Sequence, residues 1–419
     1  MVIITLVIIR LIIIRFILLS YGKSRMTDEN WHSNTHLVHA GTARTSNNET
    51  SEAPFMTSGF VYENAEQAAA SFRNETDNFV YSRYGNPTTL MLEKRIAKLE
   101  GAEICRATGS GMAAVFSALA CQLSAGDRIV ASRALFGACY AILNKILPKW
   151  GVEVVFVSGG DENEWEQALS IPTKIVFLET PPNPLPQIID LKCVCALAKK
   201  VGACVIVDNV FATPLYQKPL ELGADIVTYS ATKHIDGQGR LLAGAVLGNA
   251  EFMTEQFLPF YRQTGPTISA FNAWIMLKSL ETLSVRVERQ TQNAAAIASE
   301  LEMHKNVKSV FYPGLPSHPN YEIAKRQMSG SGSIVAFEIN GGRENAFAFL
   351  NALRVHLISN NLGDAKSLVT HPASTTHQNL SDHERALIGI KEGHLRISSG
   401  LEHKDDLIAD ILQALSHVS

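Results

Sequence analysis

The chain has 419 residues, a formal net charge of −3, 18% charged residues and 46% hydrophobic ones. That length suits two domains, or one large α/β domain with an appendage. The near-neutral balance, with no basic cluster interleaved with aromatics, excludes a nucleic-acid binder held by a basic surface.

Residues 1–25 are a hydrophobic extension, and residues 1–20 are almost wholly Ile, Val, Leu and Phe, interrupted by Arg10 and Arg15. On an insertion scale the apolar side chains contribute about −5 to −10 kcal/mol and the two arginines cost about 5 to 7 kcal/mol. That sum leaves a membrane span open, whereas a signal peptide lacks its small-residue cleavage site. The Ile-heavy run is also what AT-rich non-coding DNA would translate to, and Met26 offers a natural start. We read the extension as an overextended gene model; a chain starting at Met26 is expected to have no membrane association.

Residues 26–75 show few periodic runs and read as an arm that reaches toward another subunit. The turn-rich YSRYGNPT (81–88) follows, then a helix over 89–100 on Leu92, Ile96 and Leu99. Gly109-Ser110-Gly111-Met112 opens a helix running to about 124. Such a turn is either a bare tight turn or an anion site made by free N–H groups. It is not GxGxxG, so a dinucleotide site is not expected.

Apolar runs over 128–131, 152–157, 174–178 and 204–207 then alternate with helical patterns over 138–149, 162–170 and 191–201. Continuously apolar strands between helices predict a doubly wound, mostly parallel α/β sheet, with ligands beyond the carboxyl ends of its strands. Glu179 and Asp208 each end a strand, and Asn183 follows the first. A third run, 224–228, leads into Tyr229-Ser230-Ala231-Thr232-Lys233-His234 and a glycine-rich segment. Lys233 is either an exposed loop lysine or an amine placed to form a Schiff base with pyridoxal 5'-phosphate (PLP), with Ser230 and Thr232 as phosphate donors. Asp208 is either a turn carboxylate or the partner of a pyridinium nitrogen. The ordered set on successive strand ends favours the cofactor reading for all of them.

Beyond residue 248 the pattern becomes a broken helix over 254–283, a long helix over 282–304, and strands over 333–339 and 395–398. This predicts a smaller α+β unit. The division is 26–75 arm, 76–281 large PLP-binding domain and 282–419 small domain. Arg396 lies inside a short apolar strand and needs either an internal acid or a substrate carboxylate. His371 and His377 match no metal-ligand spacing, and no metal is expected. The six cysteines (Cys105, Cys121, Cys139, Cys193, Cys195 and Cys204) form no CxxC pair and read as buried thiols of a reducing, cytoplasmic compartment.

From about Asn34 to the C-terminus the chain resembles the Cys/Met-metabolism family of fold-type I PLP enzymes. The resemblance rests on YSRYGNPT (81–88), SGMAA (110–114), ETPPNP (179–184), VDNVFATP (207–214), YSATKHIDG (229–237) and LRISSGLE (395–402), in that order. Within the family, NLGDAKSLVTHPASTTH (361–377) resembles the sulfhydrylases, and the length from Met26 with its opening MTDENW looks most like their O-succinylhomoserine-dependent branch.

The resemblance implies PLP as cofactor and γ-replacement of the succinyl group of O-succinyl-L-homoserine by sulfide. It implies Lys233 as Schiff-base lysine and proton shuttle, and Asp208 at the ring nitrogen. Gly111, Met112, Ser230 and Thr232 would lie on the phosphate, completed by Tyr81 and Arg83 of a neighbouring subunit in a homotetramer. Asn183 would meet the ring hydroxyl, Arg396 the substrate carboxylate, and Asn361 and Leu362 the substrate. Phe136 stands where many members stack a tyrosine, so a proton-moving phenol is lost there, and any catalytic role of that tyrosine is dropped or passes to Lys233 or Tyr81. A cystathionine γ-synthase, a γ-lyase and, from another class, a non-catalytic binder remain as alternatives; Lys366, where synthases often place an acid, disfavours the first.

Overall fold

A computed structural model describes residues 31–419. The expectations for residues 1–25 and for a start at Met26 lie outside the described residues.

Among the described residues seven strands form the larger sheet: β1 (Ile104–Thr108), β2 (Arg128–Ser132), β3 (Glu153–Val157), β4 (Ile175–Glu179), β5 (Cys204–Asp208), β6 (Ile226–Tyr229) and β7 (Gly244–Gly248). Their order is β1-β7-β6-β5-β4-β2-β3, and β7 alone runs antiparallel to its neighbours. The expected mostly parallel sheet is present; β1 and β7 were not among the anticipated strands. Both faces are covered. Val227, Ala245 and Leu247 pack with Met91, Leu92 and Ile96 of the helix Pro87–Glu100, while Ile129, Ile175, Phe177 and Ile206 pack with Ala114, Val115 and Ala118 of the helix Gly111–Ala120. Burial on both sides is why β4 is apolar at every position until Glu179.

The helix Leu283–Met303 leads to a second sheet of β8 (Val307–Phe311), β9 (Ile334–Ile339), β10 (Leu357–Ile358), β11 (Leu368–Thr370) and β12 (His394–Ser398). Its order is β10-β11-β12-β9-β8, and β9 and β12 stack Val335, Phe337, Leu395 and Ile397 on Ala294, Ile297 and Leu301 of the long helix. Among the described residues no helix is long and apolar enough to cross a membrane.

The arm differs from the extended chain expected: it holds the helices Ser33–His39 and Ala65–Phe72. Asn64 caps the second by accepting the Gln67 N–H, a local signal that outweighs the weak periodicity. Arg95, fully buried, anchors the arm's first part. Its guanidinium donates to Ala40 O at 2.9 Å, to Thr42 Oγ1 at 2.8 Å and to Glu52 Oε1 at 2.8 Å. Phe55, Met56, Val61 and Phe72 stay exposed.

Removing one partner of a buried ion pair leaves the other uncompensated, so Arg95→Ala is expected to lower stability by about 3 to 5 kcal/mol, read from the urea unfolding midpoint.

Candidate active site

Strand β5 lies between β4 and β6, which brings their polar ends together. Glu179 pairs with Asp208 in register, and Asp208 pairs with Thr228. Asp208 accepts the Val210 N–H at 3.1 Å, and Glu179 accepts the Phe136 N–H at 2.7 Å. Burial raises both carboxyls above the usual carboxylate range, and Asp208 raises Glu179 further. Among the described residues neither carboxyl is lowered by a neighbouring cation. A protonated ring nitrogen is the kind of cation that such a buried acid pair would accept.

The phosphate end is built by close approach. Ser110 caps the helix Gly111–Ala120 by accepting the Ala113 N–H at 3.1 Å, so the N–H groups of Gly111 and Met112 precede the intrahelical ladder. A Cβ on Gly111 would lie 2.5 Å from Ser230 Cβ and 2.7 Å from its Oγ. Only glycine lets the helix start and Ser230 meet, which makes a cradle suited to an anion. Thr232 is placed differently: its hydroxyl donates to Ala243 O at 3.1 Å and accepts the Ala243 N–H at 3.0 Å. Its oxygen is engaged with the sheet edge, and a phosphate contact would need that pairing to exchange.

Lys233 follows β6 and is half-buried. Its Nζ donates to Asn361 Oδ1 at 2.5 Å. Burial, aided by the charge of Arg396, lowers its amine to about 8. The loop carrying Asn361 presses on the lysine peptide at Gly363, where φ is +71° and a Cβ would lie 2.6 Å from His234 N. Arg396, on β12, donates to Asn183 Oδ1 at 2.8 Å, Asn360 O at 2.9 Å and Asn361 O at 3.0 Å. It is fully buried, its Nε has no partner, and burial lowers its guanidinium to about 10. Among the described residues its acceptors are an amide and two carbonyls and no carboxylate acts on it, so the internal-acid alternative falls away. The site holds a buried cation whose missing partner is an anion.

Other anticipated residues stand apart. Tyr81 is 43% exposed, and Arg83 donates to Arg262 O while lying 4.8 Å from the Tyr84 ring. Neither has a hydrogen bond to the Lys233 group. Phe136 is 38% exposed at the start of the helix Gly137–Ala141. Leu362 packs against Phe211 and Ile334, which leaves its backbone rather than its side chain for a substrate. Lys366 pairs with Asp364 at 2.8 Å. His371 is held by Ser374 and Glu392 O, and His377 by Thr376.

Sequence reasoning passed over Arg286. From the long helix it donates to His234 O at 2.8 Å and Ile235 O at 3.2 Å, bracing the backbone just after Lys233. A Cβ on Gly237 would lie 1.6 Å from its Nη1. A signal existed: Arg286 sits on the buried face of that helix with Leu283, Val287 and Gln290.

A family model described as the Cys/Met metabolism PLP-dependent enzymes matches residues 34–416. The chain belongs to that family. Its cofactor is therefore PLP, and the acid pair, the anion cradle and the lysine of lowered basicity fit that group. An O-succinylhomoserine sulfhydrylase of Mycobacterium tuberculosis is 53% identical over 90% of this chain and 94% of its own length. An L-methionine γ-lyase of Fusobacterium nucleatum is 40% identical over 92% of this chain and 98% of its own. A Campylobacter jejuni structure carrying N'-pyridoxyl-lysine-5'-monophosphate superposes with a TM-score of 0.88 at 31% identity, covering 92% of this chain and 100% of that one.

Gly111→Ala should weaken PLP binding by about tenfold or more, with far-ultraviolet circular dichroism unchanged, because the new methyl pushes Ser230 away. The rate at which apoenzyme takes up PLP should rise with pH through a midpoint of about 8, as Lys233 loses its proton. Arg396→Met removes a positive charge that lowers the lysine and should move that midpoint upward.

Proposed function

We propose that the enzyme replaces the succinyl group of O-succinyl-L-homoserine by sulfide, giving L-homocysteine and succinate in methionine biosynthesis. The observation that carries this reading is the buried, acid-free Arg396, which shares Asn361 with the Lys233 amine: Asn361 accepts from Lys233 through Oδ1 and from Arg396 through its carbonyl. A substrate α-carboxylate on Arg396 would bring its Cα toward Lys233. The 53% identity to the mycobacterial sulfhydrylase supports the choice of acyl group and nucleophile.

When bound, PLP withdraws electrons from the substrate's Cα and Cβ, so protons there become removable. The residues do the rest. Arg396 would hold the carboxylate end, Asn183 would meet the ring hydroxyl while orienting Arg396, and Asp208 would meet the ring nitrogen. The N–H groups of Gly111 and Met112, with Ser230, would hold the phosphate, and Thr232 would join them once its hydroxyl leaves Ala243. Phe136 covers the ring. Lys233 would hold the cofactor and, as a free amine, would take the proton from Cα; an amine lowered to about 8 has a working free-base fraction near neutral pH. In the overall exchange the Cγ–O bond breaks, succinate leaves, and sulfide forms a C–S bond at Cγ. Asn361 and the backbone of Leu362 face the substrate.

We further propose that Tyr81 and Arg83 serve a neighbouring subunit's site in a homotetramer. Their distance from the Lys233 group and the exposed Phe55, Met56, Val61 and Phe72 support this. The two separate sheets support a division into a large domain (76–281) and a small one (282–419). All six cysteines are free, which supports a cytoplasmic enzyme.

Purified enzyme given O-succinylhomoserine with sulfide should yield homocysteine as main product. Cystathionine formed preferentially when cysteine competes, or ketobutyrate under every condition, would replace the proposal with the synthase or lyase reading. Co-assembling the two weakly active variants Arg83→Ala and Lys233→Ala should restore about a quarter of wild-type activity, since random pairing leaves one intact site in half the dimers. No recovery would place Arg83 in its own chain's site.

A further inference from the structure

Glu179 closes β4 beside Asp208, and the reaction above gives it no task. Only 5% of its surface is exposed. Its Oε1 accepts the Phe136 N–H at 2.7 Å, which pins the turn carrying the ring-covering side chain. One oxygen of Glu179, one of Asp208 and the Cys139 Sγ lie within 4.8 Å of one another. Four residues onward the same strand end delivers Asn183 to Arg396. The groups available to the face, the nitrogen edge and the hydroxyl edge of a pyridine ring therefore diverge from one buried carboxyl.

We propose that Glu179 is a positioning residue for the cofactor ring: it sets Phe136 over the ring's face beside Asp208, through the reach of its hydrogen-bond acceptor and not through its charge. Burial and Asp208 both raise the carboxyl, which favours the neutral acid; an amide of the same length can then replace it. A carboxyl one methylene shorter draws back from the Phe136 N–H. The inference rests on the family's cofactor and holds whichever nucleophile attacks, so its failure is distinct from a wrong product.

The test compares Glu179→Gln, Glu179→Asp, Phe136→Ala and the Glu179→Asp/Phe136→Ala double variant, titrating each apoenzyme with PLP by visible absorbance and visible circular dichroism. Glu179→Gln should bind PLP within about threefold of wild type and keep the visible dichroism. Glu179→Asp should bind about tenfold more weakly with reduced dichroism. Adding Phe136→Ala to Glu179→Asp should cause far less loss than Phe136→Ala causes alone, because the two changes remove one shared contact. Wild-type affinity in Glu179→Asp, Asp outperforming Gln, or multiplicative losses in the double variant would overturn the proposal.

Discussion

Strand β5 hydrogen-bonds to β4 on one side and β6 on the other, all pointing the same way, so their carboxyl ends open at one edge of the sheet. Parallel pairing in this register places Glu179 against Asp208 and delivers Ser230 and Lys233 one strand further on. The apolar residues beneath them leave no freedom for a slip, because a one-residue shift would exchange the two buried faces. The chemistry of the site depends on that rigid edge.

Charge organises what the edge supports. Among the described residues two buried acids lie there without a cation, and a buried arginine reaches over from β12 without an acid. Each is costly when unpaired, and each is complementary to one part of a ligand that carries a cationic ring and a carboxylate. Elements that follow the larger sheet close this arrangement by contact as well as by charge. Gly363 rests on the lysine peptide, and Arg286 grips the turn that follows it. Both sheets thus act on the few residues around Lys233.

Much of this was legible before any coordinates. Strand-end acids, the GSGM turn and the lysine hexapeptide are local signals, since their residue types serve one end of one element. Arg396 was legible as a problem, a charge in an apolar strand, but not as its solution. Thr232 shows the limit: its hydroxyl type suggested a phosphate donor, and Ala243, eleven residues on, engages it instead. Leu362 turned inward onto Phe211 for the same reason, a neighbour distant in sequence.

By itself the sequence determined the family, the cofactor and the alternation that builds a doubly wound sheet, because those depend on residue type and short spacing. Tertiary structure alone decided which groups meet: Gly111 against Ser230, Asn361 between Lys233 and Arg396, and Glu179 under Phe136. Such pairings join residues from 35 to 128 positions apart, and only packing of the two sheets and the crossing helices fixes their distances.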